Sequence, residues 1–229
     1  MELRSNARWL HGLGANVTAI EIQSKGPAHQ WDRWQAVRQS PADLASLPWA
    51  GYTVRKETKR HKPGDEVKIG AVGIINGVGG WRTFDLDARK DTGEEVSDAT
   101  VDRLLRALGL PHLYPWVWRS GSGKGWEIAI RCEEGMPGGV LATDKYDAGV
   151  FTGWPKDSTE DWHHIELRWE NCQTVVLCDD GRAYAWRHEA PAEPPALLPI
   201  RRVIAAFFDL APPPPYNLGT ANRALVEQV

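Results

Sequence analysis

Two aspartates, Asp85 and Asp87, flank Leu86 at the end of the strand-like segment that begins Trp81-Arg82-Thr83-Phe84. In an extended strand, residues i and i+2 share a face, so the carboxylates stand roughly 7 Å apart and aim the same way. Carboxylates so placed suit one or two hard divalent cations. A third acid, Glu166, sits inside the apolar segment His164-Ile165-Glu166-Leu167, where a carboxylate is tolerated only if paired, exposed or metal-bound. Asp85, Asp87 and Glu166 are therefore the candidate metal ligands and catalytic acids. Alternation puts His164 on the face of Glu166 and His163 on the opposite face.

A second group is the glycine-rich stretch Ser120-Gly121-Ser122-Gly123-Lys124-Gly125. It is not a Walker A loop, because Trp118 stands where the first glycine belongs and Gly125 where the hydroxyl residue belongs. Two readings remain open: a strand–turn–strand whose amides, hydroxyls and Lys124 cradle phosphates, or a plain hairpin turn. A third group is the hydrophilic run from Arg55 to Gly64, with Arg55, Lys56, Lys59, Arg60 and Lys62. It reads either as solvated surface or as an arm that contacts the phosphates of DNA. No GxSxG elbow supports serine nucleophile chemistry. A net charge of −3 excludes a surface that attracts polyanions everywhere, but leaves room for a local basic patch. Of the 12 tryptophans, most are expected in the core and a few as stacking platforms for bases.

The elements that must position these groups follow from pattern. A helical opening precedes a β-branched strand, Asn16–Ile22; helical character over 31–47 breaks at Ser40-Pro41, where a new helix starts. Tyr52-Thr53-Val54 reads as a short strand. Residues 69–88 read as a hairpin turning through Asn76–Gly80, with the two aspartates at the far end of its second strand. Residues 96–109 predict a helix, with Val101, Leu104, Leu105 and Leu108 on one face, Ser97 or Asp98 as N-cap and Gly109 as C-cap. Strands are expected at 114–119 and 126–132, and a further hairpin over 164–177 through Glu170-Asn171-Cys172. Beyond Glu189 proline enrichment marks residues 190–229 as a linker and C-terminal helical tail, either a brace on the core or the stub of a longer polypeptide. No run reaches the roughly 18–20 apolar residues of a membrane span, and the N-terminus lacks an apolar signal core, so a cytoplasmic protein without a membrane partner is expected. Three cysteines at these spacings fit neither a zinc knuckle nor a disulfide framework, and read as reduced.

Taken in order, these segments are similar to a known family. Gly70-Ala71-Val72-Gly73-Ile74-Ile75-Asn76-Gly77 followed by Trp81-Arg82-Thr83-Phe84-Asp85-Leu86-Asp87 resembles the first motif of the archaeo-eukaryotic primase superfamily, in its phage and plasmid type of bifunctional primase–polymerase. Ser120–Trp126 resembles the second motif, and Ile165-Glu166-Leu167-Arg168 with the following 173–177 and 181–186 the third. The resemblance spans about residues 15–187. It implies an α/β (α+β) fold with an RNA-recognition-type sheet, mixed but mainly antiparallel, behind an N-terminal α/β unit, and a catalytic domain over 1–189. It further implies Asp85, Asp87 and Glu166 as ligands of Mg2+ or Mn2+, with Ser120, Ser122, Gly123, Lys124, Glu127 and His164 around a nucleoside triphosphate. The implied activity is DNA-primed or de novo nucleotide transfer on a single-stranded DNA template, with a helicase or other replication module as a further partner. One departure is visible: where the family's second motif ends in histidine, this chain has Glu127. A carboxylate cannot donate to a phosphate as an imidazolium does, so Glu127 implies either an added metal ligand or a weakened enzyme kept as a nucleotide- or DNA-binding module.

Overall fold

A computed structural model describes residues 3–22, 24–57, 60–88, 93–134, 146–147, 150–153 and 162–210, with the backbone alone for those between 146 and 164. In chain order the elements are α1 (Leu3–Gly12), β1 (Asn16–Glu21), α2 (Pro41–Ala45), β2 (Tyr52–Thr53), β3 (Glu66–Val67), β4 (Ile69–Ile75), β5 (Trp81–Ala88), α3 (Asp98–Ala107), β6 (Val117–Arg119), β7 (Trp126–Arg131), β8 (Tyr146–Asp147), β9 (Val150–Gly153), β10 (Trp162–Arg168), β11 (Gln173–Cys178) and α4 (Ile200–Leu210). The protein is α+β. Its strands form a three-stranded sheet, β1-β4-β11, a six-stranded sheet, β6-β7-β5-β10-β9-β8, and the small β2-β3 ribbon. Every named strand pair is antiparallel, where a mixed sheet was expected.

Both expected long hairpins are corrected. β4 and β5 do not pair with each other, nor do β10 and β11; in each case the first strand lies in one sheet and the second in the other. The physical reason is burial. From Gly70 to Leu86 every strand residue is buried, so each strand is covered on both faces and alternation no longer says which neighbour it pairs with. The reversal after β4 uses Gly77, Gly79 and Gly80, all at positive φ, to carry the chain out of one sheet and into the next. The reversal after β10 uses Asn171 at φ 55, and the indole of Trp169 fills the crossing, 1% exposed, with the Arg82 guanidinium 4.3 Å from its ring centroid.

Asn76 fastens the two crossings together. Its amide group donates to Thr174 Oγ1 on β11 at 3.1 Å, and its Oδ1 accepts from Thr83 Oγ1 on β5 at 2.9 Å. All three residues are fully buried, so each of these bonds lies in a low-dielectric setting where its loss would leave an unsatisfied polar group.

The helices that start after Ser40 and Ser97 behave as their patterns dictate, whereas the helical character expected from residue 31 to the break is reduced to a 3-10 turn, Asp32–Gln35. Ser97 caps α3 by accepting from the Thr100 amide, and Gly109 follows it at φ 69. α2 begins with a capping box in which Ser40 and Asp43 bond each other's amides. α1 lies on β1 and β4, α4 on β10, and α3 on α4. Phe84, Leu86, Ile128, Ile165 and Leu167 share one face of the large sheet and join the core that holds Val101, Leu104, Val203 and Phe207. Residues 190–210, expected as linker and tail, belong to this core: Trp116 Nε1 donates to Glu193 O at 2.8 Å, the Arg131 amide donates to Ala196 O and the Leu198 amide to Arg131 O, each at 2.8 Å, and Leu198 and α4 are buried in the same cluster. Most described tryptophans are structural, as expected: Trp9, Trp81, Trp116, Trp118 and Trp186 form one chain of ring contacts. Among the described residues no helix is long and apolar enough to cross a membrane.

Candidate functional site

The face of the large sheet opposite Phe84 and Leu86 carries the acids. β5, β7 and β10 lie side by side, and Asp85 stands directly across from Glu127 on one side and Glu166 on the other. Residues directly opposite in an antiparallel pair project to the same face, so three carboxylates from three distant parts of the chain form a single row. Asp87 pairs with His164 in the next row; the side chain of His164 lies outside the described residues, as does Lys59. Trp118 on β6 pairs with Glu127, and its indole Nε1 reaches Val175 O on β11 at 3.1 Å, so the small sheet covers this face.

What fills the row is a side chain to which no role was given in advance. Arg168, two residues beyond Glu166 on the same face, donates through Nη2 to Asp85 Oδ2 and through Nε to Glu166 Oε2 at 3.1 Å, and its Nη1 lies 3.8 Å from Glu127 Oε1. Its Nη1 also reaches Thr174 Oγ1 at 3.4 Å, which joins the row to the Asn76 crossing. One guanidinium thus faces three carboxylates. The charges within this group do not balance, and two buried oxygens, Asp85 Oδ1 and Glu127 Oε2, have no hydrogen-bond donor among the described residues. Burial raises the carboxyls of Asp85 and Glu127 above the usual range despite the pull of Arg168, Glu127 the further, and the three acids hold Arg168 firmly protonated.

Beside this row opens a cleft of about 280 Å³, lined by Lys25, Glu127, Arg168, Cys172 and Tyr184 among others. Its volume is just under the roughly 300 Å³ at which small-molecule pockets begin, enough for a phosphate chain rather than a whole nucleotide. Burial pushes the Cys172 thiol up to about 11, so it is no nucleophile at neutral pH. Tyr184 seals one wall; a Cβ on Gly121 would stand 2.8 Å from its ring.

The glycine loop between β6 and β7 is more self-contained than its composition implied. Ser120 Oγ accepts from the Gly125 amide at 3.1 Å and meets Ser122 Oγ at 3.1 Å, Ser122 Oγ accepts from the Lys124 amide at 3.2 Å, and the Gly123 amide donates to Ser120 O at 2.9 Å. The expected free amides of 123–125 are therefore already used. Only those of Gly121 and Ser122 lack a partner among the described residues. Lys124 Nζ donates to Gly93 O at 2.9 Å. Gly125 is required sterically, since a Cβ there would lie 2.4 Å from Leu86 O, between the two aspartates. Gly125→Ala is expected to lower stability by about 1–3 kcal/mol in urea denaturation by forcing this loop off β5.

The basic run forms the loop of the β2-β3 ribbon. Arg55, Lys56, Arg60 and Lys62 are exposed, the Arg60 guanidinium lying beside Gly26, and His61 Nε2 meets Glu21 Oε1 at 2.9 Å. Among the described residues no three acids, histidines or cysteines stand close enough together to hold a metal ion as they are arranged. The chain matches no protein-family model, and no curated protein matches it.

Proposed function

We propose that the chain is a template-dependent nucleotidyltransferase on a primase-type catalytic core, priming or extending DNA from nucleoside triphosphates with Mg2+ or Mn2+. The observation that supports this most is the row Asp85, Glu127 and Glu166, assembled by strand register on the covered face of one sheet with the glycine loop at its end. The donor set fits a hard cation. Mg2+ keeps several waters and takes one or two carboxylates together with substrate phosphates, and Asp85 Oδ1 and Glu127 Oε2 are two buried carboxylate oxygens without donors among the described residues. Those two residues would hold the ion, with Asp87 and Glu166 in the adjoining positions. When bound, it supplies neutralisation of the charge that develops on a transferring phosphoryl group.

The remaining work falls to the chain's own groups. Arg168 offsets the mutual repulsion of the acids and keeps them in one plane of the sheet. Lys25, in the wall of the cleft, offers the ammonium that a triphosphate tail needs, a part for which the sequence had suggested Lys124 or His164. The free amides of Gly121 and Ser122 add two donors at the mouth of the loop. Arg55, Lys56, Arg60 and Lys62, all exposed, would meet template phosphates.

A second reading has its own support: a guanidinium already pairs with the acids and Glu127 stands where a phosphate-binding histidine is expected, which suits a module that binds DNA or nucleotide without turning it over. Primer-extension and de novo priming assays on single-stranded DNA, with Mn2+ and Mg2+ compared, separate the two. Products from the wild type that disappear in Asp85→Asn, with DNA binding retained, support the enzyme. No product from the wild type, with synthesis gained by Glu127→His, supports the binding module.

A further inference from the structure

A second cavity of about 360 Å³ lies between α1 and α2 and shares no lining residue with the cleft beside the acids. Arg4, Arg8 and His11 edge it from α1, and Leu44 and Trp49 from α2 and the turn after it. No acid lines it. Arg4 and Arg8 are exposed and, among the described residues, neither donates a hydrogen bond nor meets a carboxylate. By contrast, Arg33 beside α2 pairs with Asp43 at 2.5 Å, and Arg38 is spent on the carbonyls of His11 and Ala15. In a chain with a net charge of −3, two unpaired guanidiniums over an acid-free hollow are a local reversal of sign.

The geometry is specific. Residues i and i+4 of a helix lie on one face about 6 Å apart along its axis, so Arg4 and Arg8 can each take one phosphate of a strand running along α1. His11 follows on the same face; its Nε2 is engaged by Gln39 O at 2.9 Å, which leaves Nδ1 for a further contact. Trp49 is held with its Nε1 donating to Leu44 O at 3.2 Å. That bond fixes the indole of a half-buried side chain in the wall, where a base can stack on it.

We infer that the α1–α2 hollow is a second nucleic-acid contact, taking two consecutive phosphates of a single strand on Arg4 and Arg8 and one base on Trp49. Its ligand rests on the nucleic-acid reading given above, but its residues do not: it holds for an enzyme and for a binding module alike. The basic run at 55–62, the site expected from the sequence, then becomes one of two contacts.

The test is fluorescence anisotropy of a labelled oligothymidylate with the full chain across a range of salt. Wild-type binding should weaken roughly tenfold or more in Arg4→Gln/Arg8→Gln, and the slope of log K against log salt should become shallower by about 1.4, the value for two phosphates of a single strand. Trp49→Phe, which keeps a ring, should retain most of the affinity that Trp49→Leu loses, and Arg106→Gln on α3 should change nothing. An unchanged affinity and slope in the double variant overturns the inference while leaving the nucleic-acid reading intact. No oligonucleotide binding by the wild type overturns both. Displacement of the oligonucleotide by inorganic phosphate or thymidine monophosphate at matched ionic strength would assign the hollow to a free phosphate-bearing ligand instead, and overturns the strand.

Discussion

Replacing Arg168 with methionine is expected to destabilise the protein by about 3–5 kcal/mol near neutral pH, the range for a buried charge deprived of its partner. Methionine keeps length and much of the volume, so packing changes little. What is lost is the guanidinium that meets Asp85, Glu127 and Glu166, the first two almost wholly buried. Three carboxylates in one row then repel one another without compensation, in a setting where solvent screens them poorly. Adding Asp85→Asn and Glu127→Gln to Arg168→Met should recover most of the stability in urea denaturation, because neutral amides of the same shape remove the repulsion. A triple variant no more stable than the single one would show that Arg168 acts through packing and through Thr174 rather than through charge. The same experiment bears on function. If the acids exist to hold cations, the arginine is what allows them to fold before a metal arrives.

How much of this was legible in the sequence depends on the strand. Glu166 is legible because an acid in an apolar strand needs a reason, and Asp85 because period-2 geometry puts it on the same face as Asp87. The same rule applied to Glu166 yields Arg168, two residues on, but an arginine at a strand end has a ready alternative in solvent, so its type alone does not mark it. Glu127 was noticed only as a departure from a motif, and its place opposite Asp85 depends on which strands pair, which no local pattern contains. The two long hairpins failed for that reason. β4 and β5 are buried on both faces, so their hydrophobic runs specify strands but not partners. Lys25 was invisible because it enters the cleft from the loop after β1, remote in the chain from every other lining residue. The proline-rich segment left open a brace on the core or the stub of a longer polypeptide, and residues 190–210 act as the brace. Prolines 191, 194, 195 and 199 read as a linker, yet Glu193, Ala196 and Leu198 lie along Trp116 and the end of β7, where proline's missing amide is no loss because neighbouring amides and carbonyls make the contacts.

Glu127→Gln should leave the protein more stable than wild type by about 1–3 kcal/mol near pH 8, the range for a buried polar group relieved of its desolvation penalty. The sign follows from the direction of the shift. Burial raises the Glu127 carboxyl well above its ordinary value, with Asp85 adding to the rise. Between the ordinary carboxylate range and that raised value, the folded chain holds a proton that the unfolded chain has released, so stability falls as pH rises through this window. Below the window both states are protonated and the penalty is absent; above it the penalty is complete. Glutamine is neutral throughout, so the variant's melting temperature should lack that part of the decline, and the two curves should converge toward about pH 4. Identical pH profiles for wild type and variant would mean that Glu127 ionises without penalty and that its unpaired Oε2 is supplied with a donor. A divalent cation makes the complementary case. Excess Mn2+ should raise the wild-type melting temperature near pH 8, by replacing the missing proton at Asp85 Oδ1 and Glu127 Oε2, and have a smaller effect as the pH falls toward the ordinary carboxylate range, where protons compete for the same oxygens. In Glu127→Gln the Mn2+ effect should shrink at every pH. A shift that is equal in both proteins would place the cation elsewhere, and Glu127 would then be an acid neutralised by a proton and Arg168 rather than a ligand.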